Sequence, residues 1–171
     1  MDSAAAIKDA IERSVKAVSL RPSVGQGTAK SIAVLGPGLS CEVTEGPYRV
    51  VLGMTEKYGG NDAGPNPGVI GRAALGSCLA IGIGMWAARM EIPLDSLEVE
   101  VQADYDARGE LGVSADVPAG YSAMRYSIRA TSSAPEAMVR AMLETAVKYS
   151  SYVDNFARAV PLTGDVRVVK S

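Results

Sequence analysis

The stretch from Pro67 to Glu91 places the strongest constraint on how this chain can fold. It reads PGVIGRAALGSCLAIGIGMWAARME, and between Asp62 and Glu91 the only charged residues are Arg72 and Arg89. A helix that is apolar on all its faces has to be buried on every side. The sequence therefore predicts a central helix that the rest of the fold encloses.

A cysteine, Cys78, stands in the middle of this run. Two interpretations of it are open. Free cysteines are among the most buried residue types and commonly serve as small apolar packing groups. A sheltered thiol that loses its proton is instead a nucleophile. Most of what the sequence indicates about function depends on which of the two holds.

The composition excludes several classes of site. The chain has 171 residues, which is the size of one domain, with two cysteines and no histidine. Without histidine there are no Ser-His or Cys-His catalytic pairs, and a zinc site lacks its commonest ligand, so no metal site is expected.

Two cysteines do not make a disulfide framework, and free thiols indicate a reducing, cytoplasmic compartment. The net charge of -2, with no basic run, argues against a nucleic-acid partner. No nucleotide-binding motif stands in the required context, and no cofactor is expected.

One segment has the length of a membrane span. Val69–Ala88 contains Arg72 as its only charged residue, and about 20 apolar residues are needed to cross a bilayer. Its Ala- and Gly-rich composition disfavours insertion, and Arg72 adds to the cost. The first residues of the chain also lack the basic and then apolar pattern of a secretory signal. We therefore expect a buried core helix and no membrane partner.

The N-terminal part predicts a helix followed by three strands. Asp2 or Ser3 can cap a helix that runs to about Val18 and whose apolar face needs cover from this domain or from a partner chain. Residues 1–27 are accordingly assigned to an N-terminal helix and linker, and residues 28–171 to a single α+β domain. Gly- and Pro-containing turns separate the strands of a predicted antiparallel meander, which are Thr28–Leu35, Leu39–Thr44 and Tyr48–Met54. The loop that follows, residues 55–67, is long enough to be functional or a lid.

The second half predicts four strands and two helices. The segment Leu97–Ala103 alternates strictly between apolar and polar residues, which indicates a strand with one solvated face. Helices are predicted from Pro135 to about Tyr149 and over residues 153–159, and further strands at Leu111–Ser114, Met124–Ala130 and Val166–Val169. After the N-terminal helix the predicted order is β-β-β-α-β-β-β-α-α-β. Runs of strands separated by long helices indicate an α+β fold.

Several motifs occur in an order typical of one family. They are Gly59-Gly60, Gly64-Pro65-Asn66-Pro67, Ala73-Ala74-Leu75-Gly76-Ser77-Cys78, Ile92-Pro93-Leu94 and Asp104-Tyr105-Asp106-Ala107-Arg108-Gly109. On these motifs, residues 45–171 resemble the OsmC/Ohr family, the osmotically inducible and organic hydroperoxide resistance proteins. The resemblance implies an intertwined homodimer in which antiparallel sheets wrap around paired central helices. It also implies active sites at the subunit interface.

The resemblance further implies a chemistry. In active members a cysteine, here Cys78, is oxidised by a peroxide to a sulfenic acid, and a second cysteine closes a disulfide that a thiol donor reduces. Ser151 stands at the position of that second cysteine, or Ser150 if the alignment slips by one. The glutamate that hydroperoxide-resistance members carry after Asn-Pro is replaced by Gly68 and Val69. Their N-terminal arginine has no assigned counterpart in this chain.

A reactive Cys78 needs a group that stabilises its thiolate. If the helix begins at Pro67, Cys78 lies about three turns inside it, beyond the reach of the helix dipole. Arg72 is six residues away and points off the Cys78 face. The expected cation is therefore Arg49, from the strand before the long loop, or an arginine of a partner chain. Alternatively, a helix break at Gly76-Ser77 would place Cys78 in a first turn.

The remaining candidate residues surround this thiol. Cys41 lies on a predicted strand and pairs with Cys78 only if the two alpha carbons come within about 7 Å. For Trp86 and Met85, core packing is the alternative to a role in an apolar substrate pocket. The full set of candidate pocket residues is Arg49, Pro67, Met85, Trp86, Ser151 and Tyr152.

Two functional hypotheses follow. The first is an OsmC-like redox protein that reduces organic hydroperoxides, with Cys78 as nucleophile and an external thiol as resolver. The second is a non-enzymatic homodimer that binds a small apolar ligand or has a stress-related role, with Cys78 only as packing. A purely structural homodimer is a third possibility. Ser151 and the missing glutamate favour the second, whereas the cysteine-centred helix and the Pro/Gly loop favour the first.

Overall fold

The computed structural model describes residues 3–170 as an α+β fold. Its longest element is a helix of 23 residues that carries Cys78. In chain order the helices and strands are α1 (Ala4–Leu20), β1 (Ile32–Leu35), β2 (Ser40–Glu45), β3 (Tyr48–Gly53), α2 (Pro67–Arg89), β4 (Ser96–Tyr105), α3 (Ala107–Glu110), β5 (Tyr121–Thr131), α4 (Glu136–Lys148) and α5 (Ser151–Ala157).

The strands form two separate antiparallel sheets. The first is the predicted meander, in the order β1-β2-β3, where Cys41 of β2 lies between Leu35 and Leu52. The second is the long hairpin of β4 and β5, in continuous register from the Ser96–Thr131 pair to the Asp104–Ala123 pair, with a shift before Tyr105. Alternate residues of β4 face the helices, as its alternating sequence predicts. The strands of the meander pack principally against one another.

The order of elements differs from the predicted one at two places. Leu111–Ser114 is not a strand, because the N–H groups of Val113 and Ser114 both turn back to the carbonyl of Arg108. Val166–Val169 is not a strand either, and its valines are almost fully exposed. Within residues 3–170 the order after α1 is therefore β-β-β-α-β-α-β-α-α. Alternating apolar residues predict where a strand can form, but a strand needs a neighbour to bond with.

The N-terminal helix folds back onto the end of α2. The hydroxyl of Ser3 caps it by accepting the N–H of Ala6, as predicted, while the alternative cap Asp2 lies outside the described residues. Ion pairs join Lys8 to Glu91 at 2.6 Å and Glu12 to Arg89 at 2.8 Å. The domain thus covers part of the apolar face of α1, but no residue of α1 is fully buried.

The loop before α2 is held closely against β3. The N–H of Asp62 donates to the carbonyl of Met54, and the N–H of Gly53 donates to the carbonyl of Pro65. At Gly60 a Cβ atom would lie only 1.9 Å from the carbonyl oxygen of Met54, so only glycine fits there. Asn66 then caps α2 by accepting the N–H of Val69. The loop therefore fixes where α2 begins.

The core lies between one face of α2 and the second sheet with α4. The buried residues of α2 repeat mostly every four positions, at Leu75, Leu79, Ile83 and Ala87, with Ala88 beside them. Of these, Ile83 and Ala87 pack with Met142 and Ala146 of α4 and with the inner face of the hairpin. This is the i, i+4 spacing of one helix face.

The opposite face of α2 is apolar and open, so the prediction that this helix is buried on every side is wrong for the single chain. Ile81 is 65% exposed, and Ile70 and Met85 are also exposed. The helix also has the length and composition of a bilayer-spanning segment. Apolar residues on a helix face require a covering partner, but they do not specify whether it belongs to the same chain.

Truncation of a core leucine should reveal the contribution of the buried face. We expect Leu79→Ala to lower the free energy of unfolding by about 2–5 kcal/mol, because this side chain is 1% exposed and leaves a cavity. Leu111→Ala is the matched control, since Leu111 is 60% exposed and should cost less than about 0.5 kcal/mol. If chemical denaturation shows the same loss in free energy of unfolding for both variants, the core does not lie at Leu79.

Candidate thiol site

Cys78 lies at the edge of the buried face of α2. Its neighbour Leu79 is buried, whereas Ser77 on the other side is exposed, so the thiol is half-buried between core and open surface. The helix is continuous around it, and the hydroxyl of Ser77 bonds to the carbonyl of Ala74 within the same helix. The alternative prediction of a helix break at Gly76-Ser77 is therefore wrong.

The chain corner between α4 and α5, residues 149–151, approaches this thiol. Tyr149 ends α4, and Ser150 begins α5 as its N-cap by accepting the N–H of Val153 at 3.4 Å. Serine is a favoured N-cap because its short side chain reaches the free N–H groups of the first turn. Among residues 3–170, Ser150 is the one buried polar residue, with 7% exposure.

Two hydroxyl groups contact the sulfur. The Sγ atom of Cys78 lies 3.5 Å from the Oγ atom of Ser150 and 3.5 Å from that of Ser151. The backbone N–H groups of Ser151 and Tyr152, in the first turn of α5, also lower the pKa of the thiol. The sulfur thus faces two hydroxyls and the first turn of α5, although it lies in the middle of its own helix.

These contacts decide the acidity of the thiol. Burial raises the pKa of Cys78. Hydrogen bonding by the hydroxyls of Ser150 and Ser151 and by the N–H groups of Tyr152 and Ser151 lowers this pKa, and the combined lowering is larger than the increase from burial. The net pKa lies below that of an ordinary thiol. Donors that stabilise the charged form lower an acid's pKa without any formal charge. The site therefore favours the thiolate, which is the nucleophilic form of cysteine.

No charged side chain contributes to this pKa shift in the described part of the chain. Arg49 is bound to Glu42 at 2.6 Å across β2 and β3. Arg72 contacts the hydroxyl of Tyr121 at 3.3 Å, and that hydroxyl donates to the carbonyl of Gly68. Within one chain, neither arginine acts on Cys78.

The other candidate residues fall into two groups. Ser151 and Tyr152 lie at the sulfur, through the contacts described above. Trp86 packs against the core and stacks on Tyr149, while Met85 is exposed on the open side of α2. Pro67 is the first residue of α2 and is exposed, about three turns from Cys78. The structure brings the two serines and the first turn of α5 together with the thiol, and it places Arg49 and Pro67 elsewhere.

Sequence reasoning missed the backbone donors of α5. It placed the start of this helix at Val153, whereas α5 begins at Ser151 with Ser150 as cap. A serine directly before a predicted helix is the signal for such a cap. The packing of α4 on α2, which brings the cap to Cys78, has no signal in the local sequence.

Cys41 is not part of this cluster. It is a free, half-buried cysteine in the middle strand of the meander, and it is absent from the groups that contact Cys78. No group of three or more His, Cys, Asp or Glu residues that could hold a metal ion occurs among residues 3–170. Two shallow grooves lie along α1, one of them against the end of α2, and neither is lined by Cys78.

Comparison with protein families gives a match over most of the folded domain. The family described as OsmC-like protein matches residues 59–164, which include α2, the second sheet and both C-terminal helices. Helix α1 and the three-stranded meander precede the matched region. No curated protein sequence shows significant similarity to the chain.

Solved structures share the fold at low sequence identity. An OsmC-like protein from Mycoplasma pneumoniae is 14% identical, with a TM-score of 0.66, and the match covers 77% of this chain and 89% of that one. An organic hydroperoxide resistance protein OsmC from Legionella pneumophila is 19% identical, with a TM-score of 0.52 and coverages of 75% and 88%. An OsmC-like hydroperoxide resistance protein from Jannaschia sp. CCS1 is 21% identical, with a TM-score of 0.51 and coverages of 82% and 92%. At these identities the likeness establishes the fold.

The serine contacts predict a measurable shift in thiol acidity. In Ser151→Ala the thiolate loses one donor, so its pKa should rise. A hydrogen bond contributes about 0.5–1.5 kcal/mol, which corresponds to about two- to tenfold slower alkylation near neutral pH. The matched control is Ser77→Ala, whose hydroxyl bonds only to its own helix and whose alkylation profile should match the wild type. A superimposable pH profile of Cys78 alkylation in Ser151→Ala would contradict this account of the site.

Proposed function

The chain belongs to the OsmC-like family, and from that premise we propose that it is a thiol-dependent redox protein that reduces organic hydroperoxides with Cys78 as nucleophile. The observation that carries the proposal is the set of donors around the sulfur of Cys78, which lowers the pKa of a half-buried thiol. A cysteine that serves only as packing has no need of such donors. Two of its structural relatives are named as hydroperoxide resistance proteins, which agrees with this assignment.

The proposed reaction is a two-electron oxidation of the sulfur. The thiolate of Cys78 attacks the terminal oxygen of a hydroperoxide, so the S–O bond forms as the O–O bond breaks. The sulfur becomes a sulfenic acid, and the departing alkoxide takes up a proton to become an alcohol. The hydroxyls of Ser150 and Ser151, which stabilise the thiolate, lie where they can also donate to the oxygen that arrives at the sulfur.

We propose that the sulfenic acid is resolved by an external thiol. The two positions against Cys78 in α5 and its cap are serines, which cannot form a disulfide. An external thiol condenses with the sulfenic acid to a mixed disulfide and water, and a second thiol then restores Cys78 and leaves as the oxidised donor. Cys41 takes no part in this cycle.

One observation favours the non-enzymatic alternative. Within the described chain the thiol is surrounded by neutral donors, with no cation. An opposite charge nearby shifts a pKa by about 1–3 units, more than a neutral donor does. If the pKa of Cys78 stays too high for attack on a peroxide, the same protein would bind an apolar ligand at this surface, with Cys78 only as a packing group.

We also propose that two copies of the chain form a homodimer through the open face of α2. A folded monomer of this mass exposes roughly 8,000 Å², whereas this chain exposes 12722 Å². The excess of roughly 4,700 Å² exceeds the roughly 1,000–2,500 Å² that one chain buries in an obligate dimer. Exposed apolar residues on α2 and on the outer faces of the meander, among them Ile81, Met85 and Val34, account for part of it.

The dimer would complete the site. Cys78 lies beside the open face of α2, so a second copy seated on that face would build the outer wall of the pocket. A wall of apolar side chains such as Met85 favours organic hydroperoxides over hydrogen peroxide, because it binds their hydrocarbon part. A second copy is also the source from which a cation could reach the thiolate.

Peroxide treatment tests the enzymatic proposal. We expect one equivalent of cumene hydroperoxide to convert Cys78 to a sulfenic acid that a dimedone probe traps and mass spectrometry locates. The adduct should be absent in Cys78→Ser and unchanged in Cys41→Ser, and hydrogen peroxide should react more slowly. A Cys78 that stays reduced while the protein is folded would leave only the non-enzymatic function.

Sedimentation tests the proposed dimer. Ile81→Glu places a charge on the open face of α2 and should convert the dimer to a monomer, since burying an unpaired carboxylate is costly. Leu111→Glu, at a residue of similar exposure in the loop before β5, should leave the mass unchanged. A wild-type protein that sediments as a monomer at micromolar concentration would contradict the assembly.

A further inference from the structure

An aromatic pair connects α2 directly to the corner that contacts Cys78. The rings of Trp86 and Tyr149 are stacked, with centroids 5.4 Å apart and an angle of 23° between their planes. Trp86 lies about two turns beyond Cys78 on the same helix. Tyr149 is the residue directly before Ser150, whose hydroxyl contacts the sulfur. The pair therefore joins the helix that carries the thiol to the segment that carries its donors.

Cations lie over both rings of the pair. The guanidinium of Arg89 is 4.9 Å from the centre of the Trp86 ring, and the ammonium of Lys148 is 5.4 Å from the centre of the Tyr149 ring. Arg89 is in turn bound to Glu12 of α1 at 2.8 Å. Attraction between a cation and an aromatic face adds to the stacking contact. Helix α1, which precedes the region matched by the family, thus reaches the aromatic pair through one ion pair.

The donors around Cys78 lie on and beside a short surface helix. Helix α5 has seven residues and none of them is buried. A helix this short has little stability of its own, so its position depends on what holds its ends. At its start, main-chain bonds from Tyr149 to Thr145 and from Ser150 to Val147 continue α4 but do not reach α2. The corner is linked to α2 by the core packing of Ala146, about one turn before Ser150, by the aromatic stack and by the thiol contacts themselves.

The exposure of Tyr149 separates this role from ordinary core packing. The residue is 62% exposed, yet its ring lies flat against Trp86. A core-filling role would require a buried ring, and Tyr149 does not have one. Its ring contacts Trp86 and the ammonium of Lys148, and the contact with Trp86 joins it to α2 directly before Ser150.

We propose that Trp86 and Tyr149 are positioning residues, whose stacked rings fix the α4–α5 corner on α2 so that the donors of Ser150, Ser151 and Tyr152 reach the sulfur of Cys78. The inference rests on the proposed function in that Cys78 is the reacting thiol. Neither ring touches the sulfur or the peroxide. Loss of the stack would leave the fold intact while the corner moves, and the thiolate would lose its donors together.

The groups that face the thiol define what such a movement changes. They are the hydroxyls of Ser150 and Ser151 and the N–H groups of Ser151 and Tyr152, and none is titratable in the relevant range. Arg89 and Lys148 lie over the rings of the pair, and no charged side chain among the described residues contributes to the pKa of Cys78. A change in the titration midpoint of Cys78 therefore reports the distance of the donors.

The test is the rate of Cys78 alkylation by iodoacetamide as a function of pH. It is measured in the full chain that carries Cys41→Ser, so that Cys78 is the one thiol alkylated. We expect Tyr149→Ala to raise the midpoint by about half a pH unit or more, which makes alkylation near neutral pH about threefold slower. Tyr149→Leu, which keeps apolar bulk but not the ring, should shift it in the same direction. Tyr149→Phe should restore the wild-type midpoint, because it keeps the stack. Tyr105→Ala, at an equally exposed tyrosine on β4, should leave the midpoint unchanged.

The outcomes distinguish this inference from the proposed function. A change in accessibility alone would alter the plateau rate at high pH and leave the midpoint where it is. A low wild-type midpoint that persists in folded Tyr149→Ala and Tyr149→Leu would overturn the positioning role and leave the proposed function standing. A wild-type thiol that reacts only after unfolding would overturn both.

Discussion

Burial of one face of α2 against α4 and the second sheet is the constraint on which the rest of the structure depends. Each fully buried aliphatic side chain on this face, such as Leu79 or Ile83, contributes about 1.5–3 kcal/mol, so the helix has one stable orientation. That orientation places Cys78 at the edge of the core. The same packing carries the end of α4, and with it Ser150, to the sulfur. Stability and reactivity therefore arise from the same contact between two helices.

The site lowers the pKa of its thiol with neutral groups from a neighbouring helix. A cysteine inside a long helix gains nothing from that helix's dipole, because the effect is confined to the first turn. Here the first turn of α5 supplies the N–H groups instead, and the cap Ser150 supplies a hydroxyl. Such donors act over hydrogen-bond distances only, so a small movement of the corner removes their effect. A cation acts over a longer range, and no charged side chain among the described residues contributes to the pKa of this thiol.

The sequence predicted local structure well where one residue pattern had one explanation. The alternation of β4, the Gly/Pro turns of the meander and the cap of α1 all have local causes, and they lie where expected. The strand predicted at Leu111–Ser114 is wrong because the chain bonds back to Arg108, and the one predicted at Val166–Val169 has no partner strand among residues 3–170. For the site, Cys78 and Ser151 were found together, but Arg49 pairs with Glu42 and the donors of α5 were missed. Those outcomes depend on tertiary packing, which no local pattern encodes.

The surroundings of Cys78 favour its thiolate, and the ultraviolet absorbance of that thiolate as a function of pH tests this directly. The spectrum of the Cys78→Ser protein, subtracted at each pH, isolates the single sulfur. We expect a midpoint for the folded protein below that of the same thiol in the unfolded chain, because hydrogen bonding to the sulfur outweighs the effect of burial. A folded-state midpoint at or above the unfolded one would contradict it.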